Sequence, residues 1–296
     1  MASLYTQQST NVRKTWVLMG SFLILVILAG WGVSYYFETP FILYVAVAFS
    51  LLMNIGAYWY SDKIALRATR AKEADEREYR ELHRIVENLS ITAGLPKPRV
   101  YIIDDPAPNA FATGRNPKHS AVAVTTGLLA RLERNELEGV IAHELAHIGN
   151  RDILVMTVAV VLVGMLTIIA DIFLRISIFG GSGNSDRGGN VLLLIGAVVV
   201  IILAPIAAQM IQLAVSRKRE FLADASGALL TRYPEGLALA LEKISAYKAP
   251  VKHVNHATAH LFIANPFGGQ SGKFVNKLFS THPPVEERLA ALRSMQ

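Results

Sequence analysis

Four apolar runs constrain this chain more than any other feature. Trp16 to Phe37, Phe41 to Tyr60, Ile153 to Phe173 and Val191 to Val215 each approach or exceed the ~20 residues a helix needs to cross a bilayer. The first two are separated only by Glu38-Thr39-Pro40, which carries no Lys or Arg. Arg13 and Lys14 precede them, and Lys63, Arg67, Arg70 and Lys72 follow. Positive charge collects on the inner side, so the turn is expected outside and both flanks in the cytoplasm. A cleavable signal peptide would be shorter than the first run and would lack its Trp31, Tyr35 and Tyr36 belt. The second pair is joined by the Gly/Ser-rich stretch Phe179 to Asn190 and ends at Arg217-Lys218-Arg219, which returns the chain to the same side. A buried core hairpin is the alternative for that pair. Asp171 and Arg175, four residues apart, read as an interfacial anchor. A hydrophobic content of 52% fits spans, and the net charge of +6 sits beside apolar runs rather than in a nucleic-acid-binding patch.

The remaining segments read as an α+β, mainly α, domain with a small antiparallel sheet. Ala65 to Ser90 has Leu66, Leu82, Ile85, Val86 and Leu89 at helical spacing and reads as one long helix, ended by Gly94-Leu95-Pro96. Arg99 to Asp104 is a strand; Ala110 to Thr113 and Ala121 to Thr125 form a hairpin about Gly114-Arg115-Asn116-Pro117. Pro234 to Tyr247 is an amphipathic helix, Asn265 to Gly272 a loop, and Thr281-His282-Pro283-Pro284 opens a last helix, Val285 to Met295. The expected organisation is a membrane hairpin at 1–62, a first cytoplasmic part at 63–152, a second hairpin at 153–216 (spans 153–175 and 191–215), and a second cytoplasmic part at 217–296.

Between strands and third run lies N-E-L-E-G-V-I-A-H-E-L-A-H-I-G-N-R-D, Asn135 to Asp152. On a helix His143 and His147 share one face about a turn apart and can hold one metal ion, while Glu144 reaches water beside it. Asn135 is the expected N-cap, with Glu138 completing a capping box and Glu136 near the positive end of the dipole. With no cysteine in the chain, further ligands must be His or carboxylate. In R-K-R-E-F-L-A-D, Glu220 and Asp224 share a helix face just past the fourth run, and Glu220 is the best third ligand. His253, His256 and His260 have a metal-like spacing without an interleaved carboxylate and read as surface histidines.

With N-A-F-A-T-G at Asn109 to Gly114 and T-H-P-P-V-E-E-R at Thr281 to Arg288, these motifs resemble, in order and spacing over nearly the whole chain, the HtpX-type membrane zinc metalloproteases of the M48 group. The resemblance implies one zinc on His143, His147 and Glu220, a zincin-like cytoplasmic domain, and Asp224 orienting a ligand histidine. It also implies an edge strand, Asn109, Ala110, Phe111, Ala112 and Thr113, along which a peptide lies extended. Asn109 would touch the reacting peptide and His282 would stabilise the oxyanion, with Arg217 as a further candidate for that role. Glu144 would serve as general base.

The expected activity is hydrolysis of peptide bonds in misfolded or damaged membrane proteins at the cytoplasmic face of a bacterial or archaeal membrane. Protein substrates and the lipid bilayer are the expected partners, with no nucleic acid. An intramembrane zinc protease would need an aspartate ligand next to glycine, and the chain has no Asp-Gly pair. Prenyl-protein proteases typically have more spans. A scaffold with a structural metal would have no use for Glu144 and would present four protein ligands.

Overall fold

The computed structural model describes residues 4–36, 38–179, 217–247, 249–252, 261–263 and 283–295. Helices α1 (Leu4–Tyr36) and α2 (Phe41–Ala68) form an antiparallel pair. Both are long and apolar enough to cross a membrane, with mean hydropathy 2.2 and 1.9 over their most apolar windows. Most of the large exposed apolar side chains among the described residues lie on them, from Trp16, Ile24 and Leu28 to Phe41, Leu52 and Ile55. In water such a surface would be costly; in lipid it is not.

The chain then builds β1 (Lys72–Glu73), α3 (Arg80–Thr92), β2 (Arg99–Ile103), the hairpin β3 (Ala110–Asn116) and β4 (His119–Thr125), and the short α4 (Thr126–Arg131). Helix α5 (Arg134–Gly149) carries the two-histidine motif, and α6 (Asp152–Phe179) follows it at an angle of 83°. Helices α7 (Arg217–Thr231), α8 (Pro234–Ala246) and α9 (Val285–Arg293) complete the described elements.

Three expectations are corrected. The sheet has the order β1-β2-β4-β3 and is mixed: β3 and β4 pair antiparallel, but β2 and β4 pair parallel. Strand β4 is buried along Ser120 to Thr125 and takes the centre, which leaves β3 at the edge. The expected helix from Ala65 to Ser90 is two helices. Thr69 turns its hydroxyl back onto the carbonyls of Ala65 and Leu66, Arg70 adopts φ 55°, and Ala71 N–H closes the end on Leu66 O. Asp75 Oδ1 then accepts the N–H groups of Arg77 and Glu78 and starts the next turn. Finally, the capping box of α5 is Glu133 with Glu136, two residues before the expected pair, because Arg134 is already helical.

The sheet separates two apolar layers. Phe111, Ala121, Ala123 and Ile103 face the membrane-helix side, against Leu18 and Phe22 of α1, Leu66 of α2 and the run Leu154 to Leu166 of α6. Ala110, Ala112, Val122 and Val124 face the other way, against Leu137, Val140 and Ile141 of α5 and the apolar stripe of α3. The first four turns of the third apolar run are therefore covered by protein. The fourth run lies outside the described residues, as do His253, His256, His260 and His282.

Gly114 enables the hairpin. Its φ is +143°, and an added Cβ would fall on the carbonyl of His119 where the strands shift register.

Candidate metal centre

Helix α5 is seated by the apolar faces of Leu137, Val140, Ile141 and Leu145, all buried, which leaves His143, Glu144 and His147 pointing into the interior at 1–3% exposure. Helix α7 lies against it. The close approach rests on Gly227, one turn beyond Asp224, where an added Cβ would come within 3.0 Å of His143 N. Gly227→Val is therefore expected to force the two helices apart and lower metal content under limiting zinc by about tenfold or more. Metal analysis after equilibration with one equivalent checks this, and full loading would sink it.

The approach of α7 brings Glu220 to the histidines. His143 Nε2 and His147 Nε2 are 3.1 Å apart, with Glu220 Oε1 3.5 Å from His147 Nε2 and Oε2 3.9 Å from His143 Nε2. Two donors held about 2.05 Å from one ion in a tetrahedron stand roughly 3.3 Å apart. These three residues are the only group of three or more metal-ligating side chains among the described residues with donor atoms within 4.8 Å of one another.

The opposite nitrogen of each ring faces a carboxylate. His147 Nδ1 lies 3.0 Å from Asp152 Oδ2, and His143 Nδ1 lies 2.9 Å from Asp224 Oδ1. The second approach is off the ring's N–H axis, so it is a charge contact more than a well-directed hydrogen bond. With both Nδ1 atoms turned to acids, the two Nε2 atoms face one another at 3.1 Å, where they can share one proton or, once it is released, one metal ion. The electrostatics agree. Burial lowers the pKa of His143, and the neighbouring imidazole adds to this against Asp224. At His147 burial also opposes the imidazolium, but the Asp152 hydrogen bond and the charges of Glu220, Asp152 and Glu144 outweigh it and raise the group to about 9. Four buried carboxylates (Glu144, Asp152, Glu220, Asp224) meet two buried guanidiniums (Arg219, Arg288) around the rings, a balance that suits a dication.

Glu144 is pushed up to about 7 by burial, with Glu220 adding to it; His147, the Ala112 N–H and Arg288 act the other way. That backbone contact matters. Glu144 accepts a hydrogen bond from Ala112 of β3, so the edge strand passes directly beside the carboxylate. Part of the edge is already engaged: Ile263 N–H donates to Ala110 O, and Phe262 meets Phe111 edge-on at 5.3 Å. Asn109, 2% exposed, precedes the strand, its N–H on Thr125 Oγ1.

Several residues at the centre carry no signal in local spacing. Asp152, first in α6, holds His147 and is itself held by Asn11 Nδ2 of α1 at 2.7 Å and by Arg219 at 3.4 Å. Asn11 and Gln8 also cap the end of α5, donating to Asn150 O and Gly149 O. Arg288 grips Asp224 with two bonds of 2.7 and 2.8 Å and donates to Ile263 O at 3.0 Å. Arg217 is exposed at the first turn of α7, and the arginine of that turn drawn into the cluster is Arg219.

The profile of peptidase family M48 matches residues 76–296. A protein described as "Protease HtpX homolog" from Caldanaerobacter subterraneus is 47% identical over 99% of this chain and 98% of its own length. Another of that description from Thermococcus kodakarensis is 50% identical over 95% of this chain and 96% of its own length. Among solved structures, the crystal structure of S. mikatae Ste24p is similar in fold, with a TM-score of 0.52 and 18% identity, over 98% of this chain and 66% of that one. Extensive similarity to these HtpX proteases, the profile match and two apolar helices converge: this chain is a membrane metalloprotease and belongs to peptidase family M48.

Proposed function

We propose that the protein is a zinc-dependent endopeptidase working at the cytoplasmic surface of a bacterial or archaeal membrane. Its substrates are misfolded or damaged membrane proteins, and its task is quality control. The observation that carries the reading is the donor cage, in which His143, His147 and Glu220 converge while Asp224 and Asp152 face the outer ring nitrogens.

Glu144 is the general base. A bound zinc ion would polarise the scissile carbonyl and lower the pKa of the attacking water. With its carboxyl held near 7 by burial, Glu144 can take the water's proton during attack and hand it to the departing amine. Strand β3 receives the peptide as an added strand along Asn109 to Thr113, displacing the Ile263 N–H from Ala110 O and the Glu144 carboxylate from the Ala112 N–H, which brings the peptide carbonyl beside Glu144. Asn109 contacts the peptide near the reacting bond, and His282 donates to the oxyanion; both roles rest on the family resemblance.

The orientation argument is electrostatic. Asn11 reaches Asp152 beside the cage, which lies at the start of α1 near Arg13 and Lys14; Lys63 and Arg67 close α2. Those basic ends mark the inner side. Four spans, at 16–37, 41–60, 153–175 and 191–215, then put 63–152 and 217–296 together in the cytoplasm.

The reading is tested with full-length protein in vesicles, using an unfolded membrane protein as substrate. Cleavage should stop when zinc is stripped and return with one equivalent. Cleavage that persists in stripped protein would remove the metal from the mechanism. Zinc uptake itself should also depend on pH. Below about 9, His147 carries a proton that a ligand nitrogen must give up, so apparent affinity should rise about tenfold per pH unit from 7 to 9 and then level. Calorimetry in buffers of different ionisation enthalpy reads the released proton directly; no release at pH 7 would contradict the assignment.

A further inference from the structure

A second polar site lies on the opposite face of the sheet from Glu144. Where α2 leaves its apolar stretch, a cavity of about 520 Å³ is lined by Lys63, Lys97, Arg99, Arg115 and Lys118, with Asp62 the one carboxylate among its lining residues. Asp62 is taken by Arg99 at 2.8 Å, and Lys97 reaches Glu87 at 3.3 Å. Among the described residues Lys63, Arg115 and Lys118 have no carboxylate partner. Like charges gathered this closely repel one another and favour an anion between them.

The surroundings identify the anion. The rim is Trp59 and Tyr60, both about half exposed, and Trp16 of α1 stacks on Tyr58 at a centroid distance of 6.2 Å. Indole and phenol rings at the end of an apolar helix sit at headgroup depth. The Arg115 guanidinium lies 4.7 Å from the centre of the Trp59 ring, which fixes a cation at that depth, and Lys63 stands 5.4 Å from the Tyr60 ring. Arg115 of β3 reaches the ring and carbonyl of Trp59 on α2, on the membrane-helix side of the sheet, whereas Ala112 contacts Glu144. A peptide running along the edge to the metal centre would not fill this cavity.

We propose that this cavity binds the phosphate-bearing headgroup of an anionic phospholipid, which docks the β3–β4 hairpin against the membrane surface. Trp59 and Tyr60 flank the glycerol region, while Lys63, Arg115 and Lys118 surround the phosphodiester. The proposal rests on the membrane assignment and is independent of the proteolytic reading.

The test uses delipidated full-length protein in neutral detergent. Native mass spectrometry follows titration with phosphatidylglycerol or with phosphatidylcholine of the same acyl chains. The unaltered chain should retain phosphatidylglycerol in preference. Lys63→Gln with Lys118→Gln, which leaves the Arg115–Trp59 stack in place, should weaken that binding roughly ten- to thirtyfold. Arg80→Gln with Arg84→Gln, the same charge loss at exposed positions on α3, should leave it unchanged. Equal binding of the two lipids, or equal loss in both double variants, overturns the proposal. So does inorganic phosphate that binds as tightly as the lipid and displaces it, since free phosphate would then be the ligand.

Discussion

Glu144→Gln is expected to lower kcat/KM by roughly 10^2- to 10^4-fold, the usual worth of a positioned general base, while zinc content stays the same. The replacement keeps the shape of the side chain, and its amide oxygen can still accept the Ala112 N–H, so the edge strand should hold its place. Only the ability to take a proton is removed. A second consequence runs in the opposite direction. A carboxyl whose folded pKa is about 7, against 4.5 for the ordinary group, favours the folded state less as pH rises through that window. The glutamine variant, stripped of metal, should therefore be the more stable protein at pH 8, by an amount on the order of 2–3 kcal/mol, with the difference vanishing near pH 4.5. Kinetics of cleavage, together with thermal unfolding at two pH values, separates the two effects. A variant that cleaves as fast as the unaltered chain would end Glu144's role as base.

Removing the carboxylate of Asp224 should cost about 3–5 kcal/mol, because it strands Arg288, 1% exposed, as a buried unpaired cation. Burial would raise the acid's pKa, yet the charge and two hydrogen bonds of Arg288 hold it below the usual carboxylate range. Asp224 also faces His143, so its loss has two components that a double substitution separates. Asp224→Leu alone should unfold several degrees lower. Asp224→Leu with Arg288→Met, apolar and of similar volume, should recover most of that stability. Zinc affinity should stay about 10- to 100-fold down in both, since neither returns a carboxylate to the His143 ring. Unfolding in detergent and chelator competition measure the two parts. If the double variant regains both, Asp224 acts only as a partner for Arg288.

Much of the centre was legible from spacing within single helices. His143 and His147 at i, i+4, and Glu220 and Asp224 at i, i+4, each declare a shared face without knowledge of any other element. The two N-terminal apolar runs were equally local, since length and hydropathy decide them. So was the pairing of the two hairpin strands, although the turn falls at Pro117-Lys118, and Gly114, Arg115 and Asn116 of the expected turn lie within β3.

Tertiary structure decided the partners. Asp152 reads in sequence as the end of a motif, and Arg288 as one charge on a C-terminal helix; folding makes the first a support for His147 and the second the counter-charge of Asp224, 64 residues away. Asn11 belongs to a membrane helix and still reaches Asp152 across 141 residues. Parallel pairing of β2 with β4 and the break after Ala68 were missed for a related reason. Strand order follows from which strand can be buried on both faces, and the break follows from Thr69 back-bonding and Arg70 at φ 55°, with no Gly or Pro to announce it. Periodicity records which side of an element is apolar, because that depends on residues three or four positions apart. Which buried guanidinium meets which carboxylate depends on packing that closes distances of sixty residues or more, as for Asp224 with Arg288 and Asp152 with Arg219, and there only the folded chain selects the pair.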